Sequence, residues 1–331
     1  MSFEPRGRDN FSLSEPAQDP CFALAKPCHN WAADGTADQV AAYVRDSLAE
    51  NTRRAYLSDL AHFGSWGGQL PCNPEVVARY LAHHAGALSV ATLMRRLATI
   101  SKAHRAAGMP SPTGSELVRA TLGGIRRRMG ARQQQAKPLL KDDLFRVLDA
   151  TGDGVKDLRD RALLLIGFAG AFRGSELISL DLGDIQEVRQ GMIIDLRSSK
   201  TDQARSGRKI GIPLGRGRWC PVAALEEWTS AAGISEGPLF RRVDRHGNVS
   251  ARPLSAEAVS IVLKERLQRS GLSPSGYSGH SLRAGLATSA AQARVSCSKI
   301  RQQTGHASDL MLARYIRDGE LFIDNAAGAL L

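Results

Sequence analysis

Cysteine is scarce and scattered. Five residues, at positions 21, 28, 72, 220 and 297 of 331, form no Cys-x-x-Cys pair. An odd, unclustered set makes neither a disulfide framework nor a structural zinc site, and it fits a reducing compartment, the cytoplasm. No apolar run reaches the roughly 18 residues of a membrane-spanning helix. The opening "MSFEPRGRDNFSLSEPAQDP" has no apolar core of the signal-peptide kind. The dipeptide Gly-Lys does not occur, so there is no Walker A loop. Gly215-x-Gly217 lacks a third glycine and sits beside Arg216 and Arg218, so it is discounted as a dinucleotide loop. There is no internal repeat.

Positive charge, by contrast, is in excess. The net charge is +11 with a pI of about 9.8. Residues 1–35 hold three basic and five acidic side chains, which leaves 41 basic against 28 acidic in the rest. That balance favours a polyanionic partner, nucleic acid before a membrane surface.

The length suggests two domains, and the 43% hydrophobic content is enough for real cores. Residues 1–35, with recurrent Pro, Ser and Asp, read as a flexible tail. From about residue 36 to 130 the periodicity is helical. "NTRRAYLSDLAHFGSW" groups Tyr56, Leu57, Leu60 and Phe63 on one face, Asn73 caps a helix with Pro74 at its first position, and Ser89 starts another. "ARQQQAKP", within residues 131–138, reads as a linker. From residue 139 to 331 helices surround two strand-like stretches, "GMIIDLRSS" and "RKIGIPL", joined by a polar loop. The fold class expected is mainly α with a small antiparallel β-sheet, an α+β chain of two domains.

Metal-free cutting of a DNA strand sets three demands. A nucleophile must reach phosphorus, fixed donors must meet the charge on the phosphate oxygens, and the departing 5′-oxygen must be protonated. Arginine suits the second demand, because its planar fork donates twice and keeps its charge. Lysine or histidine suits the third. Tyrosine suits the first, once a base or nearby cations draw off its proton. The second half of the chain holds these parts in clusters. "GFAGAFRGSELISL" puts Arg173 at a helix break with Glu176 a turn on, and "SSKT" puts Lys200 in the hairpin loop. "SGHSLRAG" puts His280 and Arg283 on adjacent turns, "TGHAS" gives His306, and "ARYIR" gives Tyr315.

Each feature has a plain structural alternative. Arg173 and Glu176 could be a simple i,i+3 pair, Lys209 rivals Lys200, and His280 and His306 could be satisfied core histidines. Those two with Cys297 fit no usual zinc spacing. Tyr315, one of five tyrosines, could be an ordinary core residue. Taken together and in order, the set resembles the tyrosine recombinases, or phage-integrase family, with its Cre-like and Xer-like enzymes. Their pattern is an arginine with an acid three residues on, a hairpin lysine, His-x-x-Arg, a Gly-His and a tyrosine nine residues further. Arg173 with Glu176, Lys200, His280 with Arg283, His306 and Tyr315 fill every place.

The resemblance spans about residues 45–331 and implies a helical core DNA-binding domain (SAM-like) ahead of a catalytic domain. It implies that Tyr315 attacks the scissile phosphate to give a 3′-phosphotyrosine. Arg173, Arg283 and His306 would hold the phosphate, Lys200 would protonate the 5′-oxygen, His280 would assist proton movement and Glu176 would orient the arginine. Neither metal, ATP nor another cofactor would be needed. The partner would be double-stranded DNA at a specific recombination site, bound by a homotetramer on two sites and linked through the apolar C-terminal segment "ELFIDNAAGALL". Candidate DNA contacts are Arg95, Arg96 and Lys102 on one helix face, the run Arg126, Arg127 and Arg128, and Arg205 with Arg208 in the hairpin loop. Type IB topoisomerase-like relaxation and non-catalytic DNA-binding regulation are the rival readings. No residue pattern points to accessory DNA-bending proteins.

Overall fold

A computed structural model describes residues 36–130, 135–197, 207–306, 308–321, 323 and 326–330. The expected tail, with Lys200 and Arg205, lies outside the described residues. The chain divides into two units, residues 1–134 and 135–331.

The first unit is helical: α1 (Thr36–Asp46), α2 (Glu50–Ser65), α3 (Pro74–His84), α4 (Val90–Ala106) and α5 (Glu116–Met129). Side-chain caps fix three of the starts. Asn73, Ser89 and Ser115 accept the backbone N–H groups of Val76, Thr92 and Val118, at 3.0, 3.1 and 3.3 Å. The core packs Phe63, Val77, Tyr80, Leu81, Leu93, Leu97, Ile100 and Val118 together.

A polar network is buried beside that core. Arg96 follows Leu93 by three residues and precedes Leu97 and Ile100 by one and four, which turns it inward. Arg96 Nη1 donates to Tyr80 Oη at 2.8 Å and to His62 Nδ1 at 2.7 Å. Asp59, also buried, accepts from Thr99 Oγ1 at 3.1 Å and from Arg95 Nη2 at 2.7 Å. A cation donating to Nδ1 requires a neutral imidazole. Burial, then Arg96, lowers the His62 pKa, and burial with His62, His83 and Arg96 lowers that of His84.

The second unit begins with α6 (Lys141–Asp149), α7 (Val155–Ala169) and the short α8 (Gly174–Ile178). A three-stranded antiparallel sheet follows in the order β1 (Ile185–Val188), β2 (Gly191–Leu196), β3 (Arg208–Pro213). Its register pairs Ile185 with Ile194 and Leu196 with Arg208. Then come α9 (Pro221–Ala231), the hairpin β4 (Arg241–Val243) and β5 (Val249–Pro253), and α10 (Ala256–Arg269). The unit ends with α11 (His280–Gln292), α12 (Cys297–Thr304), α13 (Asp309–Gly319) and α14 (Ala326–Leu330).

Helix α7 runs through the core, with Ala162, Leu163, Leu164 and Ile166 fully buried against Trp228, Leu263 and Leu282. Asp160 on α7 accepts Arg159 Nε and Arg266 Nε, each at 2.8 Å, and Arg266 Nη2 at 2.5 Å. These three side chains carry charge in the interior, so each depends on the others. The mainly helical α+β class expected from the sequence is the one the chain adopts, with three strands beyond the expected pair among the described residues. Residues 135–138 of the expected linker belong to the second unit, where the Lys137 N–H donates to the Gly276 carbonyl at 2.8 Å.

Two outcomes follow for stability. Asp160→Ala leaves two buried guanidiniums short of their partner and lowers the unfolding free energy by about 3–5 kcal/mol, read by urea denaturation; a loss under about 1 kcal/mol would contradict the role given to the network. The folded-state pKa values of His62 and His84 lie below the usual imidazole range. Their contribution is therefore complete above the unfolded pKa of about 6.5 and is lost as pH falls towards the folded values. Melting temperature should drop between pH 7.5 and 5, and His62→Gln should flatten that drop; equal slopes in the two proteins would refute it.

Candidate active site

The site starts where α7 stops. Gly170 follows the helix, and a Cβ there would lie 2.0 Å from the Phe172 ring, so the close packing of Phe172 requires glycine. Ala171, fully buried, takes a left-handed conformation at φ +49°. Such a conformation is costly for a residue with a Cβ. It turns the Ala171 carbonyl to accept Arg283 Nη1 at 2.9 Å. Arg173 comes next, as the residue that caps α8. The buried Glu176 grips it twice, accepting its backbone N–H at 2.9 Å and its Nη1 in a short ion pair.

Helix α11 brings two more side chains. The Gly279 N–H donates to Ser260 Oγ at 2.8 Å, which fixes the helix start. Gly285 lets the helix lie against the chain, since a Cβ there would be 1.8 Å from the Leu139 carbonyl oxygen. His280 and Arg283 leave one face of this helix. Arg283 is 1% exposed, and its Nη2 is buried with no hydrogen-bond partner among the described residues. A buried donor left unmade is costly, and a guanidinium more so. Burial, then the neighbouring Arg173, lowers the Arg283 pKa to about 10, with Glu176 opposing. Such a group asks for an anion.

His306 follows α12 and its left-handed C-terminal Gly305, φ +64°. Its Nδ1 shares a hydrogen bond of 2.7 Å with Thr304 Oγ1, and Thr304 is itself fully buried. Burial, then Arg283 and Arg173, pushes the His306 pKa down to about 4. Tyr315 comes from α13, whose buried Leu312 packs with Ala287, Ala291 and Ile300. Tyr315 Oη lies 2.9 Å from His280 Nε2, and its ring centre lies 5.7 Å from that of His306. Burial raises the phenol pKa, and Arg283 and Arg314 oppose the rise. His280 is open to solvent on one side, yet its ring faces the cleft. Desolvation there, then Arg283 and Arg173, lowers its pKa. The arrangement is therefore a neutral phenol facing a neutral imidazole, above two arginines.

Arg173, His280, Arg283, His306 and Tyr315 line one cleft of about 340 Å³, joined by Gln135, Leu310, Met311 and Arg314. Five of the six expected catalytic side chains thus meet, with Glu176 behind Arg173; the sixth, Lys200, is outside the described residues. Cys297 lines a separate hollow with Leu312 and Ile316, away from His280 and His306. Thr304, Gln135 and the Ala171 carbonyl carried no sequence signal beyond standing next to a motif.

The candidate DNA contacts divide. Arg126, Arg127 and Arg128 are exposed at the end of α5. Arg95 is half-exposed and paired with Asp59, and Lys102 lies 5.6 Å above the Tyr56 ring. Arg96 does not share their face. It is buried and bonded to Tyr80 and His62, which corrects its place in the expected surface stripe. Arg208 is turned to the protein as well. Its Nη1 donates to the carbonyls of Gln303 at 2.9 Å and Gln302 at 3.2 Å, capping α12. Arg205 is outside the described residues.

The family profile described as Phage integrase family matches residues 137–320. The chain is 38% identical to an integrase/recombinase xerD homolog of Selenomonas ruminantium, over 85% of each chain. It is 28% identical to recombinase cre of Escherichia phage P1, over 90% of this chain and 93% of that one. Among solved structures, a lambda integrase dimer bound to a COC′ core site superposes with a TM-score of 0.59 at 20% identity, covering 82% of this chain and 73% of that one. XerH recombinase bound to palindromic difH gives 0.59 at 16% identity, covering 90% and 85%. The chain belongs to the phage integrase family. It is an enzyme of the tyrosine recombinase class, a site-specific DNA recombinase. Among the described residues no helix is long and apolar enough to cross a membrane.

With its pKa pushed down to about 4, His306 stays a neutral donor or acceptor throughout the working range. A nitrogen-detected NMR titration of the imidazoles should show no His306 protonation above about pH 5. A midpoint near 6.5 would contradict the buried, cation-flanked setting.

Proposed function

We propose that this recombinase cuts DNA with Tyr315. The phenol oxygen attacks the scissile phosphorus, and an Oη–P bond forms as the P–O5′ bond breaks. The phenolic proton passes to His280 Nε2, and the departing 5′-oxygen takes a proton from Lys200. A 3′-phosphotyrosine and a 5′-hydroxyl result. In the second half a 5′-hydroxyl from the partner strand attacks the same phosphorus, and Tyr315 leaves. Each step exchanges one phosphodiester for another, so no ATP is consumed.

The observation that carries this reading is the 2.9 Å approach of Tyr315 Oη to His280 Nε2 beside a buried Arg283 Nη2 that has no partner among the described residues. Phosphate oxygens supply the acceptor that Arg283 Nη2 is without among the described residues and a further one for Arg173, and the transition state strengthens those bonds. Glu176 acts by orienting Arg173. The first unit is a DNA-binding domain that contacts the duplex backbone through Arg126, Arg127 and Arg128. The active assembly is a tetramer on two sites, in which the C-terminal segment of one protomer docks on the next. The hollow floored by Leu312 and Ile316 is its receiving surface, and the exposed Leu330 on α14 is one of the side chains offered to it.

Covalent trapping tests the chemistry. Wild-type protein should form a detergent-stable DNA adduct, and Tyr315→Phe none. Arg173→Ala should slow adduct formation by about 10²–10³-fold. Lys200→Ala should be slow on ordinary DNA but restored on a 5′-bridging phosphorothiolate, whose sulfur leaves without a proton. An adduct with Tyr315→Phe, or no restoration for Lys200→Ala, would overturn the corresponding assignment.

A further inference from the structure

A neutral imidazole carries one proton, and the nitrogen that holds it decides whether the other nitrogen donates or accepts. His306 is 7% exposed, lines the catalytic cleft and is kept neutral by its setting. Thr304, the last residue of α12, is 0% exposed, and its Oγ1 lies 2.7 Å from His306 Nδ1. A buried hydroxyl gives its proton to an acceptor. Among the described residues the other acceptor for Thr304 Oγ1 is the Arg301 carbonyl, at 3.5 Å. That is longer than the roughly 2.5–3.0 Å of an ordinary O–H···O bond, so Nδ1 is the better partner.

The turn that carries the pair is tied to its surroundings. Gln303 Nε2 donates to the Ala169 carbonyl at 2.7 Å and to the Gly211 carbonyl at 3.2 Å, which joins α12 to the end of α7 and to β3. Arg208 caps the Gln302 and Gln303 carbonyls, and a Cβ at Gly305 would lie 2.5 Å from its Nη1. Hydroxyl and ring are thus presented to each other at a fixed spacing.

We propose that Thr304 is a positioning residue that sets the proton of His306: its hydroxyl donates to Nδ1, the ring proton resides on Nε2, and His306 meets the scissile phosphate as a hydrogen-bond donor. The proposal rests on the reading of this cleft as the place where Tyr315 cuts DNA. Arginine needs no such help, because a guanidinium can only donate. A neutral histidine does. The opposite tautomer would turn a nitrogen lone pair towards phosphate oxygens, whose charge grows in the transition state.

The first test needs no DNA. Full-length protein labelled with ¹⁵N-histidine is studied by long-range ¹H–¹⁵N correlation at neutral pH, with His306→Ala assigning the signals. In wild type Nε2 should be the protonated nitrogen and Nδ1 the bare one, and Thr304→Val should shift the Nδ1 resonance. A proton on Nδ1 in wild type, or an Nδ1 resonance unmoved by Thr304→Val, overturns the proposal. The second test is single-turnover cleavage. Thr304→Val should cut about fivefold or more slowly at unchanged DNA affinity, and Thr304→Ser, which keeps the hydroxyl, should stay within about twofold of wild type. In a His306→Ala background Thr304→Val should add no further loss. The same loss in that background would mean that the threonine acts by packing, and would also overturn the proposal. Absence of any Tyr315-dependent adduct with wild type would remove the cutting reading and the phosphate role with it, whereas the tautomer is read independently of both.

Discussion

Arg283 is the group on which the rest of the site depends. A guanidinium 1% exposed is far from the water that ordinarily solvates it, and among the described residues the Ala171 carbonyl is the acceptor it is given. That carbonyl points correctly because Ala171 holds a left-handed backbone conformation, and Gly170 and Phe172 pack so tightly that the turn has no slack. The strain and the buried charge are two sides of one device. The fold spends stability to hold a cation dry, with Nη2 left for something that comes from outside.

The neighbouring groups follow from that cation. Burial first, and then Arg283 and Arg173, drive both histidines to the neutral form, His306 with a pKa of about 4 and His280 below the usual range. A neutral His280 can accept a proton from Tyr315, which a charged one could not. Burial, helped by Asp318, raises the Tyr315 pKa against the pull of Arg283 and Arg314, so the phenol is protonated at rest. A dianionic transition state entering such a pocket finds its positive charges already in place, and this preorganisation is where most of the barrier reduction in phosphoryl transfer arises. Glu176 prevents Arg173 from swinging away from its like-charged neighbour by holding both its backbone and its side chain.

Much of this was legible in the sequence, for physical reasons. The proposed catalytic residues carry chemistry in their identity, and three of them lie at element boundaries marked by glycine: Arg173 before Gly174, His280 after Gly279 and His306 after Gly305. Two of the capped helices of the first unit could be read from Asn73 and Ser89. The strands were less legible. β1, "IQEV", is four residues long and only its two ends are partly covered, so it shows little alternation. The β4–β5 hairpin is rich in arginine and partly exposed, a pattern that does not announce a strand. Arg96 misled because adjacent arginines look alike in sequence, yet residues 100° apart on a helix face different media. Arg208 misled because the residue expected in the loop opens strand β3, where a basic side chain can serve the C-terminal carbonyls of a helix distant in sequence. Pairings of that kind belong to the tertiary fold and leave no local trace.

The central claim is that Arg283 is held to neutralise charge on the scissile phosphate. Its most direct measurement compares cleavage of a normal phosphodiester with cleavage of the uncharged methylphosphonate at the same position, in wild type and in Arg283→Ala. The comparison is made on protein whose melting temperature and DNA affinity match the wild type. Removing a charge from the substrate should offset removing it from the protein. The variant should therefore lose about 10²-fold or more on phosphate and little on methylphosphonate. Equal losses on both substrates would mean that Arg283 supports the fold of the cleft and does not meet the phosphate charge.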